Sequence, residues 1–430
     1  MNRSHKDHAQ PKPLRVLWHW ITMGPYHLAR MGAVARQPGI ELTVVEDCSL
    51  DDHCWVRDES ESQLRVLTIA KGIPYADCDR RAIARRFGRI LETEQPHAIV
   101  DGLGDIHCLG RVFTYIKSHP KPKLYLWSET TAWDRRRLWW REWAKRLLFA
   151  QYDGAFVAGT QHRLYLESLG FAPDRVVVVG GCVDNEFFRH RAFGVRRRQE
   201  DRGRIGTSKP YFVFVGRLIP EKNLRGLILE YSRYRQSTRS PWDLVIVGSG
   251  PQEPELRELA QTHCPEGVIF AGLKQTDELV IFYAWAGCLV LPSTSEPWGL
   301  VVNEAIASGV PVIVSDRCGS AHELVRHGQT GFTFHPAASG QLSQLLSLVS
   351  SGRVDLQALA TRAAARLEQF TPERYGKLAV DLMLRLAQRP SIRHTLGRYA
   401  LLLATNPLLA ACRLAPGIAH SPPPVRANLG

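Results

Sequence analysis

In SEPWGLVVNEAIASGVPVI, residues 295–313, two carboxylates flank a short turn, with seven residues between Glu296 and Glu304. Pro297 halts the chain and Gly299 permits a close turn. The run LVVNEAIAS then has helical character, with Gly309 as its stop before VPVIVS. Glu296 precedes that helix and Glu304 sits a little over one turn inside it. The backbone N–H groups of Gly299, Leu300 and Val301 form an anion site, reinforced by a helix dipole worth about 0.3–1 kcal/mol toward a phosphate. Glu304, flanked by Val301, Val302, Ala305 and Ile306, needs hydrogen-bonding partners. Vicinal ribose hydroxyls suit it, and Glu296 could bind sugar hydroxyls beside the phosphate. The plain alternative is a chance pair of glutamates.

Cations stand upstream. In VGRLIPEKN, Gly216 lets the chain turn after a strand ending at Val215, and Arg217 and Lys222 follow. Two cations on one strand exit make a diphosphate clamp, against the alternative of a solvated basic loop. Gly248 and Gly250 in IVGSGPQ resemble half a dinucleotide fingerprint, which a tight turn explains equally well. At FAGLKQ, Gly272 and Leu273 follow another strand, where backbone groups could read a base edge.

Elements that could position these residues repeat along the chain. Short β-branched runs alternate with helical patterns, as in LRVLWHW, PYHLARMGAVAR and IELTVVE, and again from PYFVFVGR onward. This alternation predicts an α/β protein with two doubly wound parallel-sheet domains, and a length of 430 residues suits two cores. The expected division is 1–205, 206–390, and a helix with a disordered tail at 391–430. Residues 189–210, charged and poor in large apolar side chains, read as a linker or exposed loop. Ligands in such folds bind where strands end, so the exit loops carry the chemistry.

Taken together, a glutamate, seven residues and a second glutamate with Trp-Gly-Leu between them, followed by EAIASGVPVIVSD, GSAHELV and GQTGF, resemble the retaining nucleotide-sugar glycosyltransferases of the GT-B fold, family 4 (glycosyl transferases group 1). Matching blocks run from Val213 to Phe332, with weaker agreement back to Leu14. The resemblance implies two Rossmann-like domains facing across a cleft. It implies that Arg217 and Lys222 hold the donor diphosphate, Glu304 the ribose, Glu296 the donor sugar, and the Gly299, Leu300 and Val301 amides the sugar and phosphate. Gly216, Gly272 and Leu273 complete the donor site. It also implies chemistry without a metal or separate cofactor, the nucleotide-diphosphate sugar being a substrate.

The first half departs from the family pattern. Its loop WITMGPYHLARM has a single Gly24 followed by Pro25 where a glycine-rich phosphate loop is expected, with His27 and Arg30 on the adjoining helix start. In DGLGDIHCLGR, Asp105 and His107 stand where acceptor-side groups are expected, and His107 joins Glu296, Arg217 and Lys222 as a catalytic candidate.

The net charge of +13 and pI near 9.5 describe a surface that attracts anions. Nine cysteines with no C-x-x-C pair fit neither a disulfide framework nor a zinc site, and a polar N-terminus lacks a signal-peptide core, so a cytoplasmic protein is expected. No stretch is long and apolar enough to span a bilayer, and the segment from Tyr399 reads as a packing or surface-seeking tail. Asp51 and Asp52 read as a solvated turn rather than a metal site. Residues 133–146 interleave tryptophan with arginine, which suits an anionic membrane surface; the alternative is a helix with tryptophans packed on the sheet. The functions competing with a transferase are a nucleotide-sugar epimerase and a basic nucleic-acid-binding or scaffold protein. The Arg217, Lys222, Glu296 and Glu304 set argues against both, so no nucleic-acid partner is expected.

Overall fold

The computed structural model describes residues 12–50, 64–102, 104–134 and 137–392. The first half runs β1 (Leu14–Trp20), α1 (Pro25–Ala35), β2 (Ile40–Leu50), β3 (Arg65–Pro74), α2 (Arg80–Glu94), β4 (Ala98–Asp101), α3 (Ile106–Ser118), β5 (Lys123–Ser128), α4 (Trp139–Phe149), β6 (Gly154–Val157), α5 (Thr160–Ser168) and β7 (Val176–Val178). After α6 (Asn185–Arg197) the second half runs β8 (Tyr211–Val215), α7 (Leu224–Ser237), β9 (Asp243–Val247), α8 (Glu253–His263), β10 (Val268–Gly272), α9 (Thr276–Ala284), β11 (Cys288–Leu291), α10 (Leu300–Ala307), β12 (Val312–Ser315), α11 (Gly319–Leu324) and β13 (Phe332–Phe334). It closes with α12 (Gln341–Ser350), α13 (Leu356–Leu367) and α14 (Pro372–Ala387).

Both sheets are parallel, in the orders β3-β2-β1-β4-β5-β6-β7 and β10-β9-β8-β11-β12-β13. Helices cover both faces, so central strands such as β8 and β11 are buried along their whole length and read as unbroken apolar runs. Strand order reverses between β1 and β4 in the first sheet and between β8 and β11 in the second. Those reversals open the crevices where ligands of such folds bind.

Two expectations are corrected. Residues 189–210 are not an exposed linker: α6 buries Phe188 and Ala192 in the second domain's core, and Ile205 joins them. The high charge of this segment lies on the outer face of a helix whose other face is apolar, and that periodicity outweighs the composition. The C-terminal end of the expected 206–390 unit also returns to the first domain. There α14 buries Tyr375, Ala379, Val380 and Met383 with Trp18 and Val44, while Lys123 Nζ donates to Arg389 O. Gly376 lies against the Ala33 carbonyl, where a Cβ would meet O at 2.6 Å. The Asp51–Asp52 turn and the tail from Tyr399 lie outside the described residues.

Candidate functional site

The two exit loops at the second sheet's reversal are tied to each other. Thr294 N donates to Glu221 O at 2.9 Å and Asn223 Nδ2 to Pro292 O at 3.2 Å. Within this frame Lys222 Nζ contacts Glu296 Oε2, and the Ser293 hydroxyl donates to the same oxygen at 3.3 Å. Arg217, on the β8 exit, is exposed. Gly216 and Gly248 touch edge to edge: a Cβ on Gly248 would stand 1.9 Å from Gly216 O, and one on Gly250 would stand 2.5 Å from Leu218 O. Close backbone packing therefore accounts for the G-x-G. Gly272 has a positive φ of 72°, and Leu273 beside it is exposed.

Gly299 caps α10 with φ 89°, a conformation that favours glycine, and a Cβ there would meet Leu291 Cδ2 at 2.9 Å. It turns the chain so that Leu300 and Val301 begin the helix and Glu304 follows a turn later. Tyr283 on α9 donates its hydroxyl to Glu304 Oε2 at 2.7 Å. Although Glu304 keeps part of its surface accessible, burial of the carboxylate pushes its pKa up to about 7 against the pull of that hydrogen bond.

The loop carrying Glu296 is also where the domains meet. Pro297 O accepts from His162 Nε2 at 2.9 Å, and the Ser295 hydroxyl donates to Asp134 O at 3.4 Å. Burial lowers the His162 pKa, so this is a neutral imidazole donating from Nε2. Trp298 Nε1 donates to Asn303 Oδ1 and Asn303 Nδ2 to Gly181 O, both at 2.9 Å, tying the loop to the strand-to-helix crossover between domains.

Facing this site, the first domain's reversal presents Gly24 and the Asp105–His107 segment. Gly24 N donates to His27 Nδ1 at 2.9 Å, so a phosphate contact at that amide displaces an existing bond. Arg30 does not face the loop as its position on the helix start suggested. It is buried, Nε donates to Cys182 O at 3.0 Å, and its guanidinium lies over Tyr26 and Tyr375. Asp105 is likewise structural: one carboxylate oxygen caps α3 at His107 N and Cys108 N, and the other accepts from the Tyr75 hydroxyl at 2.8 Å. His107 stands half-buried on the first turn of α3.

A family model described as glycosyl transferases group 1 matches residues 195–366. The second domain is a glycosyl transferases group 1 domain. Similarity extends to sulfoquinovosyl transferase SQD2 of Arabidopsis thaliana, 30% identical over 261 residues that cover 59% of this chain and 48% of that protein. D-inositol 3-phosphate glycosyltransferase of Acidothermus cellulolyticus is 36% identical over 182 residues, 40% of each chain. The chain thus spans half or less of the length of these two relatives. Among solved structures, sucrose-phosphate synthase from Thermosynechococcus elongatus superposes with a TM-score of 0.69 at 16% identity, covering 87% of this chain and 99% of that one. Anabaena Alr3699/HepE in complex with UDP superposes at 0.65 and 14% identity, covering 87% and 100%. At these identities the superpositions establish the GT-B fold.

Outside the group 1 domain two features stand out, the first of them unseen in the sequence. His19 in β1 is buried between Asp47 Oδ1 at 3.0 Å and Asp101 Oδ2 at 2.9 Å, with Cys108 Sγ 3.6 Å from Asp47 Oδ1. Burial would lower the His19 pKa, but Asp47 and then Asp101 outweigh it and hold it well above the usual histidine range. These residues come from three strands and a helix, so no local motif marks them. The second feature is the solvent face of α4. Trp139 is 82% and Trp143 54% exposed, with Trp140 beside them under the Arg141 guanidinium. The tryptophans do not pack on the sheet; Arg137 and Lys145 instead turn inward to the Tyr165 hydroxyl. Trp133 is separate from α4, its indole donating to Arg317 O across the domain boundary at 3.3 Å.

Proposed function

We propose that this protein is a retaining glycosyltransferase that moves a sugar from a nucleoside-diphosphate sugar to a hydroxyl of a glycan, glycolipid or lipid-linked acceptor. The observation that carries this reading is the meeting of Lys222, Glu296, the Gly299 turn and Glu304 at the reversal of the second sheet, with Arg217 on the adjoining exit. Arg217 and Lys222 neutralise the diphosphate, Glu304 accepts from the ribose hydroxyls, and Glu296 accepts from the donor sugar. The Leu300 and Val301 amides at the start of α10 point at phosphate or sugar oxygens.

As the bond from sugar to diphosphate lengthens, negative charge grows on the leaving oxygen, where the two cations stabilise it. That oxygen takes the proton of the acceptor hydroxyl attacking on the same face of the sugar. His107, on the opposite domain, positions the acceptor. These steps need no metal.

The acceptor side includes a membrane surface. Trp139, Trp140 and Trp143 form an exposed aromatic face with Arg141 and Arg146 beside it, the composition that seats a helix among anionic headgroups. No helix among the described residues is long and apolar enough to cross a membrane, so α4 would hold the protein at the surface. The named relatives include a phosphatidylinositol monomannoside mannosyltransferase of Mycobacterium tuberculosis, whose acceptor is a lipid by its name. Buried, reduced thiols such as Cys182, Cys288 and Cys318 fit the cytoplasmic face.

Incubating the protein with UDP-, GDP- and ADP-sugars and following release of the nucleoside diphosphate tests the reading. One donor should be consumed, faster when its acceptor is present, and Glu296→Gln should abolish release. Consumption of none, from a folded protein with lipid vesicles present, contradicts it.

A further inference from the structure

The buried group beneath the first sheet's reversal takes no part in the proposed transfer. Its four side chains come from β1 (His19), β2 (Asp47), the end of β4 (Asp101) and α3 (Cys108), and all are shut off from solvent. We propose that His19, Asp47 and Cys108 bind a zinc ion that pins these elements together.

Geometry is the first support. The ligand atoms of the three residues lie within 4.8 Å of one another. Around a tetrahedral zinc, a nitrogen and a carboxylate oxygen stand about 3.4 Å apart, and a thiolate and a carboxylate oxygen about 3.6 Å. The corresponding separations here are 3.0 Å for His19 Nε2 to Asp47 Oδ1 and 3.6 Å for Cys108 Sγ to Asp47 Oδ1. Seating an ion requires only a small opening of the first edge.

The surroundings are the second. Metal-bound histidines commonly hand their other ring N–H to a carboxylate, which fixes the tautomer and strengthens the donor. Asp101 Oδ2 holds His19 Nδ1 at 2.9 Å, leaving Nε2 directed at Asp47. Asp47 Oδ2 is buried with no hydrogen-bond partner, an expensive state for a carboxylate oxygen. As the second arm of a bidentate carboxylate, whose short bite distorts the tetrahedron, it closes a four-coordinate structural site built from three residues.

The competing occupant is a proton. A doubly protonated His19 satisfies one oxygen of each aspartate but leaves the Asp47 Oδ2 atom unpaired. Zinc displaces the Nε2 proton and the Cys108 thiol proton to solvent and engages both Asp47 oxygens. The ion lies in the first domain, below the exit loops, and the donor residues of the group 1 domain do not contact it.

Cobalt(II) reports the site directly, because a thiolate on tetrahedral cobalt gives a charge-transfer band that surface histidines cannot. The full chain, stripped with chelator, is titrated with cobalt and then back-titrated with zinc. One equivalent should give the band, zinc should remove it, and both Cys108→Ser and Asp47→Asn should lose it while Cys264→Ser keeps it. Absence of the band in folded wild type overturns the proposal. So does a band that survives Asp47→Asn, a variant that settles the matter even where Cys108→Ser fails to fold. Elemental analysis of the protein as purified adds a readout independent of activity: about one zinc per chain is expected, and a metal-free chain whose thermal midpoint zinc leaves unmoved counts against it.

Discussion

The Tyr283 hydroxyl donates to Glu304 Oε2 at 2.7 Å, and the carboxylate it touches has a pKa pushed up by burial to about 7. In the proposed donor site one side chain thus links nucleotide binding to proton uptake: the ionised carboxylate would accept from both ribose hydroxyls, whereas the protonated form accepts less well and carries no charge. Nucleotide affinity should rise as pH increases through about 7, and Glu304→Gln should remove that rise while weakening binding roughly 10- to 100-fold at high pH.

Stability should run the opposite way. The folded-state pKa is raised above the ordinary 4.5, so the native protein holds this proton more tightly than the unfolded chain. The resulting stabilisation is complete below about pH 4.5 and is lost as pH rises through about 7. Urea melts of wild type and Glu304→Gln across that range should diverge, the variant lacking the downward slope that Glu304 gives the wild type. Parallel curves contradict this.

Lys222 and Glu296 form a pair whose side chains are 15% and 11% exposed. Removing Lys222 leaves the carboxylate with the Ser293 hydroxyl, so Lys222→Met should destabilise the fold by about 3 kcal/mol. Glu296→Gln in the same background should cost little more, because the uncompensated charge has gone. A double-mutant cycle in denaturant reads the coupling; strict additivity counts against a functional pair.

Trp298 anchors the donor loop to the crossover at Gly181, where a Cβ would lie 2.4 Å from the indole. Gly181→Ala should lower stability by about 1–3 kcal/mol through overpacking. It should also weaken nucleotide binding, although residue 181 is outside the donor site, because the displaced indole carries Gly299 with it. Trp298→Phe in the Gly181→Ala background should restore part of both; calorimetry and thermal melts report the two effects.

The aromatic face of α4 should bind vesicles containing anionic lipid. Replacing Trp139 and Trp143 with serine should reduce sedimentation with such vesicles roughly tenfold, and raised salt should reduce it further. Equal binding to neutral vesicles contradicts the role of anionic headgroups, and binding to neither argues for a protein partner instead.

Much of the second domain was legible because its signals are local. Gly299, Glu304 and the Lys222 loop lie within a few residues of the strands that place them, and period and turn chemistry identify those strands. Arg30 and Asp105 misled for the opposite reason: both stand on loops where function was expected, yet each is consumed by a contact distant in sequence, Arg30 with Cys182 and Asp105 with Tyr75. The linker reading failed because composition was weighed over periodicity, and Phe188 with Ala192 on one face of α6 carried the contrary signal. The His19 cluster had no signal at all, since parallel strands bring together residues that the sequence separates by 28 and 82 positions.

A nucleotide site built on Glu304 and the Arg217–Lys222 exit can be read by isothermal titration of UDP, GDP and ADP into wild type and Glu304→Gln near pH 8. One nucleotide should bind in the micromolar range and lose roughly 10- to 100-fold in the variant. Failure of all three to bind the folded wild type, or binding indifferent to the substitution, contradicts it.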